Sequence, residues 1–135
     1  MKQKKLLLFL LPILCSCEVE KITGPDNENS ATIELCRYIW TIDYIDYDDT
    51  RIQQMYIFDA NYTGREIITY FKIGQTTSDE YRYNWSWNTD SYTSLCLDYG
   101  NNNLLFMDGV FISGDYFTCR IGGDEFIFYG QPFNY

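Results

Sequence analysis

From residue 34 onward, short runs of β-forming residues alternate with clusters of turn-forming ones. Tyr, Phe, Trp, Ile and Thr dominate the runs, which is typical of strands. Apolar residues recur at helical spacing nowhere for long enough to predict a helix. The pattern predicts eight strands, at residues 35–44, 52–58, 65–73, 80–88, 92–99, 104–107, 110–112 running into or flanking 116–121, and 125–129.

The segments between these runs are short and rich in Gly, Asn and Asp, which supply the positive φ angles of tight hairpins. Connections of this length cannot hold a crossover helix, so neighbouring strands are expected to pair antiparallel. Consecutive hairpins close best as a single antiparallel up-and-down β-barrel of about eight strands, because closure removes exposed edges. The predicted fold class is therefore all-β, with a two-sheet β-sandwich as the alternative.

Aromatic residues occupy alternate positions in the fourth predicted strand. Tyr81, Tyr83, Trp85 and Trp87 share one face of it, and Trp40 lies on the aromatic face of the first strand. Large aromatic side chains that face inward fill a small barrel and leave little room for a large ligand. These five residues are predicted to form core, with stacking on a ligand such as a sugar as the alternative. The two aromatic strands carry no accompanying inward acid.

The first 17 residues have the organisation of a bacterial lipoprotein signal. Three lysines precede an apolar stretch at 6–14, which is too short to span a bilayer as a helix. The sequence Leu14-Cys15-Ser16-Cys17 resembles the bacterial lipobox, in which a small residue precedes the cysteine that receives the lipid. Cys17 is therefore the predicted lipidation site, because Leu14 rather than a small residue precedes Cys15.

Composition divides the chain into three parts. Residues 1–16 are predicted to be the signal peptide, 17–33 the lipidated cysteine with a flexible polar tether, and 34–135 the β-barrel domain. The lipid makes the membrane a predicted partner. The expected location is the outer membrane or the cell surface, outside the cytoplasm.

The charge of the chain argues against polyanionic partners. The sequence has 19 acidic and ten basic residues, and three of the basic ones lie in the predicted signal. Cleavage would leave seven basic residues against the 19 acidic ones, a net charge of −12. Such a surface repels nucleic acid, so no nucleic-acid partner is expected.

Reactive side chains are few. The sequence has no histidine, so the usual base for a serine or cysteine nucleophile is missing. Beyond Cys15 and Cys17, three cysteines remain, Cys36, Cys96 and Cys119. Three cannot all pair within one chain, so at least one is a free thiol or pairs with another molecule, and one disulfide is an open alternative.

Two short motifs suggest chemistry that their context does not support. Gly-Gly-Asp-Glu-Phe at 122–126 matches the signature of diguanylate cyclases, but that domain is longer than the predicted mature chain and has helices beside the motif. A Gly-Gly hairpin turn is predicted instead. Four aspartates at 43–49 could offer oxygen ligands to Ca²⁺ but lack the EF-hand spacing. They are predicted to form a solvated turn, and no metal site is expected.

Several features of the chain occur together in one group of bacterial lipoproteins. They are the lipobox, a polar spacer, Trp40 in the first strand, Tyr-Ile-Phe-Asp at 56–59, a turn closing on Gly64 and the aromatic fourth strand. In these features the chain resembles the small lipocalin-like, calycin-like lipoproteins of Bacteroidota. The resemblance implies a calycin-like barrel whose ligand is unknown. The chain departs from true lipocalins at Tyr38, where their Gly-x-Trp motif has glycine.

These observations together predict a membrane-anchored extracytoplasmic lipoprotein. It is expected to be a non-enzymatic binding or interaction module with no cofactor, and a glycan or a small apolar molecule is the expected class of ligand. The alternatives are a small hydrolase that uses carboxylates and a structural component of the envelope.

Overall fold

The computed structural model describes residues 27–134, which form a closed antiparallel barrel and one short helix. Each strand pairs with the next along the chain, and β8 returns to pair with β1. The predicted up-and-down barrel is confirmed. The predicted signal, Cys17 and the tether up to residue 26 lie outside the described residues. The elements are α1 (Glu28–Cys36), β1 (Ile39–Ile45), β2 (Arg51–Phe58), β3 (Thr63–Lys72), β4 (Gln75–Trp87), β5 (Ser94–Asp98), β6 (Leu104–Ser113), β7 (Tyr116–Ile121) and β8 (Asp124–Gln131).

Alternate residues of the strands face inward and form one core. Trp40, Tyr83 and Trp85 are each at most 3 % exposed, so the predicted inward direction of these aromatics is confirmed. They pack with buried residues from the other strands and from the helix, namely Leu35, Tyr56, Phe58, Leu95, Leu97, Met107, Val110, Phe117, Cys119 and Phe128.

Helix α1 replaces part of the predicted tether and the start of the predicted first strand. Asn27 caps it, with its side-chain oxygen accepting a hydrogen bond from the Ser30 backbone N–H at 2.9 Å. The apolar pattern did not predict the helix because its buried residues are only Ala31, Thr32 and Leu35. The prediction of a flexible segment is therefore wrong for residues 28–33. Within residues 27–134, no helix is long and apolar enough to span a bilayer.

The helix packs against one end of the barrel. Leu35 is completely buried, and its backbone carbonyl accepts a hydrogen bond from the Trp40 indole N–H at 2.8 Å. One turn earlier in the helix, the Thr32 hydroxyl accepts a hydrogen bond from the Trp87 indole N–H at 3.1 Å. The aromatic core thus continues into the helix at this end of the barrel.

Several strand boundaries differ from the predictions by one or two residues, and the differences in β4 and β6 are larger. β4 begins at Gln75 rather than at 80, because the polar residues after the 73–74 turn continue the ladder with β3. β6 is one strand from 104 to 113, with a bulge between Asp108 and Phe111, where two separate runs were predicted. The predicted Gly-Gly hairpin is confirmed, since Gly122 and Gly123 have φ of 61° and 90° in the turn between β7 and β8.

At the end opposite the helix, the barrel separates into two halves. The β1–β8 ladder joins residues 39–41 to 129–131, and the β4–β5 ladder joins residues 84–87 to 95–98. Beyond these short ladders, β4 pairs with β3 alone among the described strands. We call β1–β4 the first leaf and β5–β8 the second leaf. The leaves meet at the helix end and diverge toward the 73–74 turn, which leaves a cleft between their inner faces.

Candidate ligand-binding cleft

The cleft between the leaves is a cavity of about 440 Å³. Its size lies within the range of small-molecule sites. Inward positions near the open ends of the strands supply most of the lining, which comprises Gln54, Tyr56, Glu66, Ile68, Tyr81, Tyr99, Asn103, Leu104, Leu105, Ile121, Phe126 and Phe128. Tyr56 and Phe128 are almost fully buried and lie at the inner limit of the cavity.

Glu66 is the one charged residue in this lining. It lies on an inward position of β3, directly opposite Tyr81 of β4, and is only 8 % exposed. Its carboxylate accepts hydrogen bonds from the Gln54 amide and from the Tyr99 hydroxyl, each at 2.5 Å. No inward acid was expected from the two aromatic strands. β3 brings Glu66 to the interior, and Asp79 shares the Tyr81 face of β4 at an exposed position.

The sequence around Glu66 carries little signal of this position. The inward set on β3 includes Gly64, Glu66 and Ile68, whereas the outward set includes Arg65 and Ile67. Both sets mix charged and apolar residues, so alternation does not distinguish the faces. The direction follows only from the register with β4, in which Glu66 pairs with Tyr81 and Gly64 pairs with Tyr83.

Two tyrosine hydroxyls next to Glu66 remain protonated. Burial raises the pKa of Tyr99 well above its usual value, and the hydrogen bond to Glu66 raises it further. Burial also raises the pKa of Tyr56, with the nearby Glu66 charge as the second cause. The Gln54 amide nitrogen, which donates to Glu66, lies 3.0 Å from the Tyr56 hydroxyl. The carboxylate is thus held by neutral groups in a fixed arrangement.

The five aromatic residues predicted as core or as ligand-facing have different environments. Trp40, Tyr83 and Trp85 are buried in the core, and Trp87 is half-buried against Thr32 of the helix. Tyr81 is 46 % exposed, because it lies where the two leaves diverge. It is the member of the set that lines the cleft.

A second cavity of similar volume lies on the outer surface, where β4 leaves β5, and includes Arg65 and Arg82. Both arginines contact Glu80, at 3.7 Å and 3.1 Å respectively. Their charges therefore already have a carboxylate partner. Asp59 and Asp98 also line this groove, so its lining is more charged and less apolar than that of the cleft.

The cysteines and the acidic hairpin offer little chemistry. Cys36, Cys96 and Cys119 are free thiols, and burial raises the pKa of Cys36 to about 11 and that of Cys119 to about 12. Thiols with such pKa values are protonated at neutral pH and are weak nucleophiles.

The acidic hairpin between β1 and β2 is an ordinary turn. One Asp46 oxygen accepts hydrogen bonds from the Asp48 and Thr50 backbone N–H groups. Residues 27–134 contain no group of three or more potential ligands placed to hold a metal ion.

Comparison of the chain with protein-family models, with curated proteins and with solved structures finds no match in any of the three. The function proposed below therefore rests on the residues and the geometry of the cleft, together with the signals in the sequence.

Proposed function

We propose that this chain is a lipid-anchored, extracytoplasmic binding protein without catalytic activity. It takes a small, partly apolar ligand into the cleft between its two leaves. This proposal is supported chiefly by the cleft itself, an open cavity of about 440 Å³ whose lining combines apolar residues with the polar cluster of Glu66, Gln54 and Tyr99. Sites that bind small molecules have this combination of apolar surface and a few placed polar groups.

Binding explains the cleft better than the two alternative functions do. Hydrolysis of a glycosidic bond by carboxylates requires an acidic pair about 5–10 Å apart, and the cleft lining contains one carboxylate. A purely structural envelope component would not require a cavity that keeps a buried charge and an exposed tyrosine at its opening. The amphipathic lining supports a ligand that is neither fully apolar nor a highly hydroxylated glycan.

Obstruction of the cleft is expected to prevent binding. Ile121 faces into the cavity at the end of β7, so Ile121→Trp fills space that a ligand needs. We expect this change to weaken binding of Prodan, a neutral dye that fluoresces in apolar sites, by about tenfold or more, equivalent to about 1.4 kcal/mol. Fluorescence titration of the chain from residue 17 onward, with Cys17→Ser, measures the affinity without lipid or detergent.

Ile127→Trp is the matched control for this experiment. Ile127 lies on the outer face of the neighbouring strand and is 37 % exposed, so the same substitution there leaves the cavity open. Its dye affinity should stay within about twofold of wild type, since exposed substitutions have small effects. If both tryptophan variants bind like wild type, or wild type binds no dye, the cleft is not the binding site.

The lipid anchor is tested separately from the cleft. Cys17→Ala should abolish incorporation of labelled fatty acid in the expressing bacterium, because it removes the thiol that the lipobox presents. Cys15→Ala should leave the labelling nearly unchanged. Labelling that persists in the Cys17 variant would show that the anchor has been assigned to the wrong residue.

A further inference from the structure

Glu66 is a buried carboxylate without a cationic partner among residues 27–134. The ion pairs of that part of the chain join Arg51 to Asp43, and Arg65 and Arg82 to Glu80. No lysine or arginine belongs to the described lining of the cleft. Burial of a charge is costly unless it is paired, and hydrogen bonds from neutral donors compensate only in part. A positively charged group of a ligand would supply the missing partner.

The carboxylate has acceptor capacity left for such a group. Two carboxylate oxygens offer about four acceptor positions. Gln54 uses one on the first oxygen and Tyr99 uses one on the second. The Tyr56 hydroxyl lies close enough to interact with Glu66 and accounts for one more at most. At least one position therefore stays available on a side chain that lines the cavity.

The surroundings of Glu66 also favour a cation over an anion. Tyr81, Tyr99 and Phe126 present aromatic rings to the cavity, and such rings attract ammonium groups through their negative faces. The whole chain carries a net charge of −9, so its long-range field attracts cations and repels anions. The apolar lining residues Ile68, Leu105 and Ile121 offer no charged partner and suit an apolar group.

We propose that the cleft binds an amphipathic organic cation, with its ammonium group on Glu66 and its apolar body between the two leaves. This inference rests on the proposed function and specifies the ligand class of the same site. Gln54, Tyr56 and Tyr99 are positioning residues, since they fix the carboxylate through hydrogen bonds. Tyr81 lies at the opening and covers the side of the ligand that faces β4.

Three probes with the same apolar body and different head groups test the proposal. They are 4-phenylbutylamine, 4-phenylbutanol and 4-phenylbutyrate, which carry a positive, a neutral and a negative head at neutral pH. Isothermal titration calorimetry is performed on the chain from residue 17 onward with Cys17→Ser, which keeps every described core and cleft residue. The amine should bind about tenfold more tightly than the alcohol, as one charge-assisted hydrogen bond gives, and the acid most weakly.

Two variants assign the preference to one carboxylate. Glu66→Gln keeps the size of the side chain and removes its charge, so the amine should lose its advantage while the alcohol keeps its affinity within about threefold, since the apolar contacts are unchanged. Glu80→Gln is the matched control. It removes one negative charge from an exposed site paired with Arg65 and Arg82, outside the cleft lining, and should keep the preference for the amine.

The possible results test the ligand class, the role of Glu66 and the binding function separately. Equal affinity of wild type for the amine and the alcohol would overturn the ligand class and leave the binding function standing, and this comparison needs no variant to fold. An amine preference that survives in folded Glu66→Gln, or that disappears equally in Glu80→Gln, would overturn the role of Glu66. Absence of binding by all three probes would contradict the proposed function together with the inference.

Discussion

Replacement of Trp40 or Trp85 with Ala should lower the free energy of unfolding by about 3–5 kcal/mol, the usual range for removal of a large buried aromatic. Trp40 is completely buried, and its ring packs edge-to-face on Phe117 with centroids 5.3 Å apart. Its loss also leaves the Leu35 carbonyl without the indole donor that holds the helix. Trp85 is 2 % exposed and donates to the Asp59 carbonyl at 3.0 Å.

Such a loss is large, because the free energy of unfolding of a typical domain is about 5–15 kcal/mol. Urea denaturation of the single variants, followed by circular dichroism, measures it. Arg37→Ala and Arg82→Ala are the controls, because both residues are exposed. Arg82 contacts Glu80, but its side chain is 79 % exposed, so this pair contributes little and each control should stay within about 0.5 kcal/mol of wild type. Tryptophan variants with the wild-type denaturation midpoint would contradict the inward direction of these strands.

Much of the barrel could be predicted because its strands and turns follow from residues that are close together in the sequence. Strand existence and pairing follow from β-forming runs separated by short hairpin turns, and the 122–123 turn was predicted from its two glycines. In β4, strict alternation of aromatic and polar residues determines which face is buried. Helix α1 was missed because it is short and buries few side chains, and its stability comes from capping and from contacts with Trp40 and Trp87.

The cleft could not be predicted from the sequence because it depends on where ladders end. Both leaves consist of ordinary antiparallel strands, and nothing in the runs indicates that the β1–β8 ladder stops at residues 41 and 129. Glu66 was missed for a related reason, since β3 mixes charged and apolar residues on both faces. Of the five aromatic residues considered as ligand contacts, Tyr81 alone lines the cleft, because it lies at this opening.

Gly64 should not tolerate a side chain even as small as a methyl group. A Cβ atom at this position would lie 2.4 Å from the Tyr83 ring and 2.5 Å from the Ile57 carbonyl oxygen. Neither neighbour can easily move. The Tyr83 hydroxyl donates to that same carbonyl at 2.9 Å, and the tyrosine ring is packed against Phe58 and Tyr99 with centroids 5.6 Å and 5.4 Å away.

Gly64→Ala should therefore destabilise the protein by about 3 kcal/mol or more, at or above the upper end of the range for an overpacked core. Gly74→Ala is the matched control. Gly74 lies in the β3–β4 turn with φ of 77° and open space around the position of a Cβ atom, so Ala there costs only the left-handed backbone, about 1–2 kcal/mol. Urea denaturation of both variants separates steric conflict from backbone strain.

The double variant Gly64→Ala, Tyr83→Leu tests the contact with the Tyr83 ring. It should lose less stability than the sum of its two single changes, because it removes the ring but keeps the Ile57 carbonyl. If Gly64→Ala is as mild as Gly74→Ala, Tyr83 does not cross β3 at Gly64, and the β3–β4 register that directs Glu66 into the cleft is wrong.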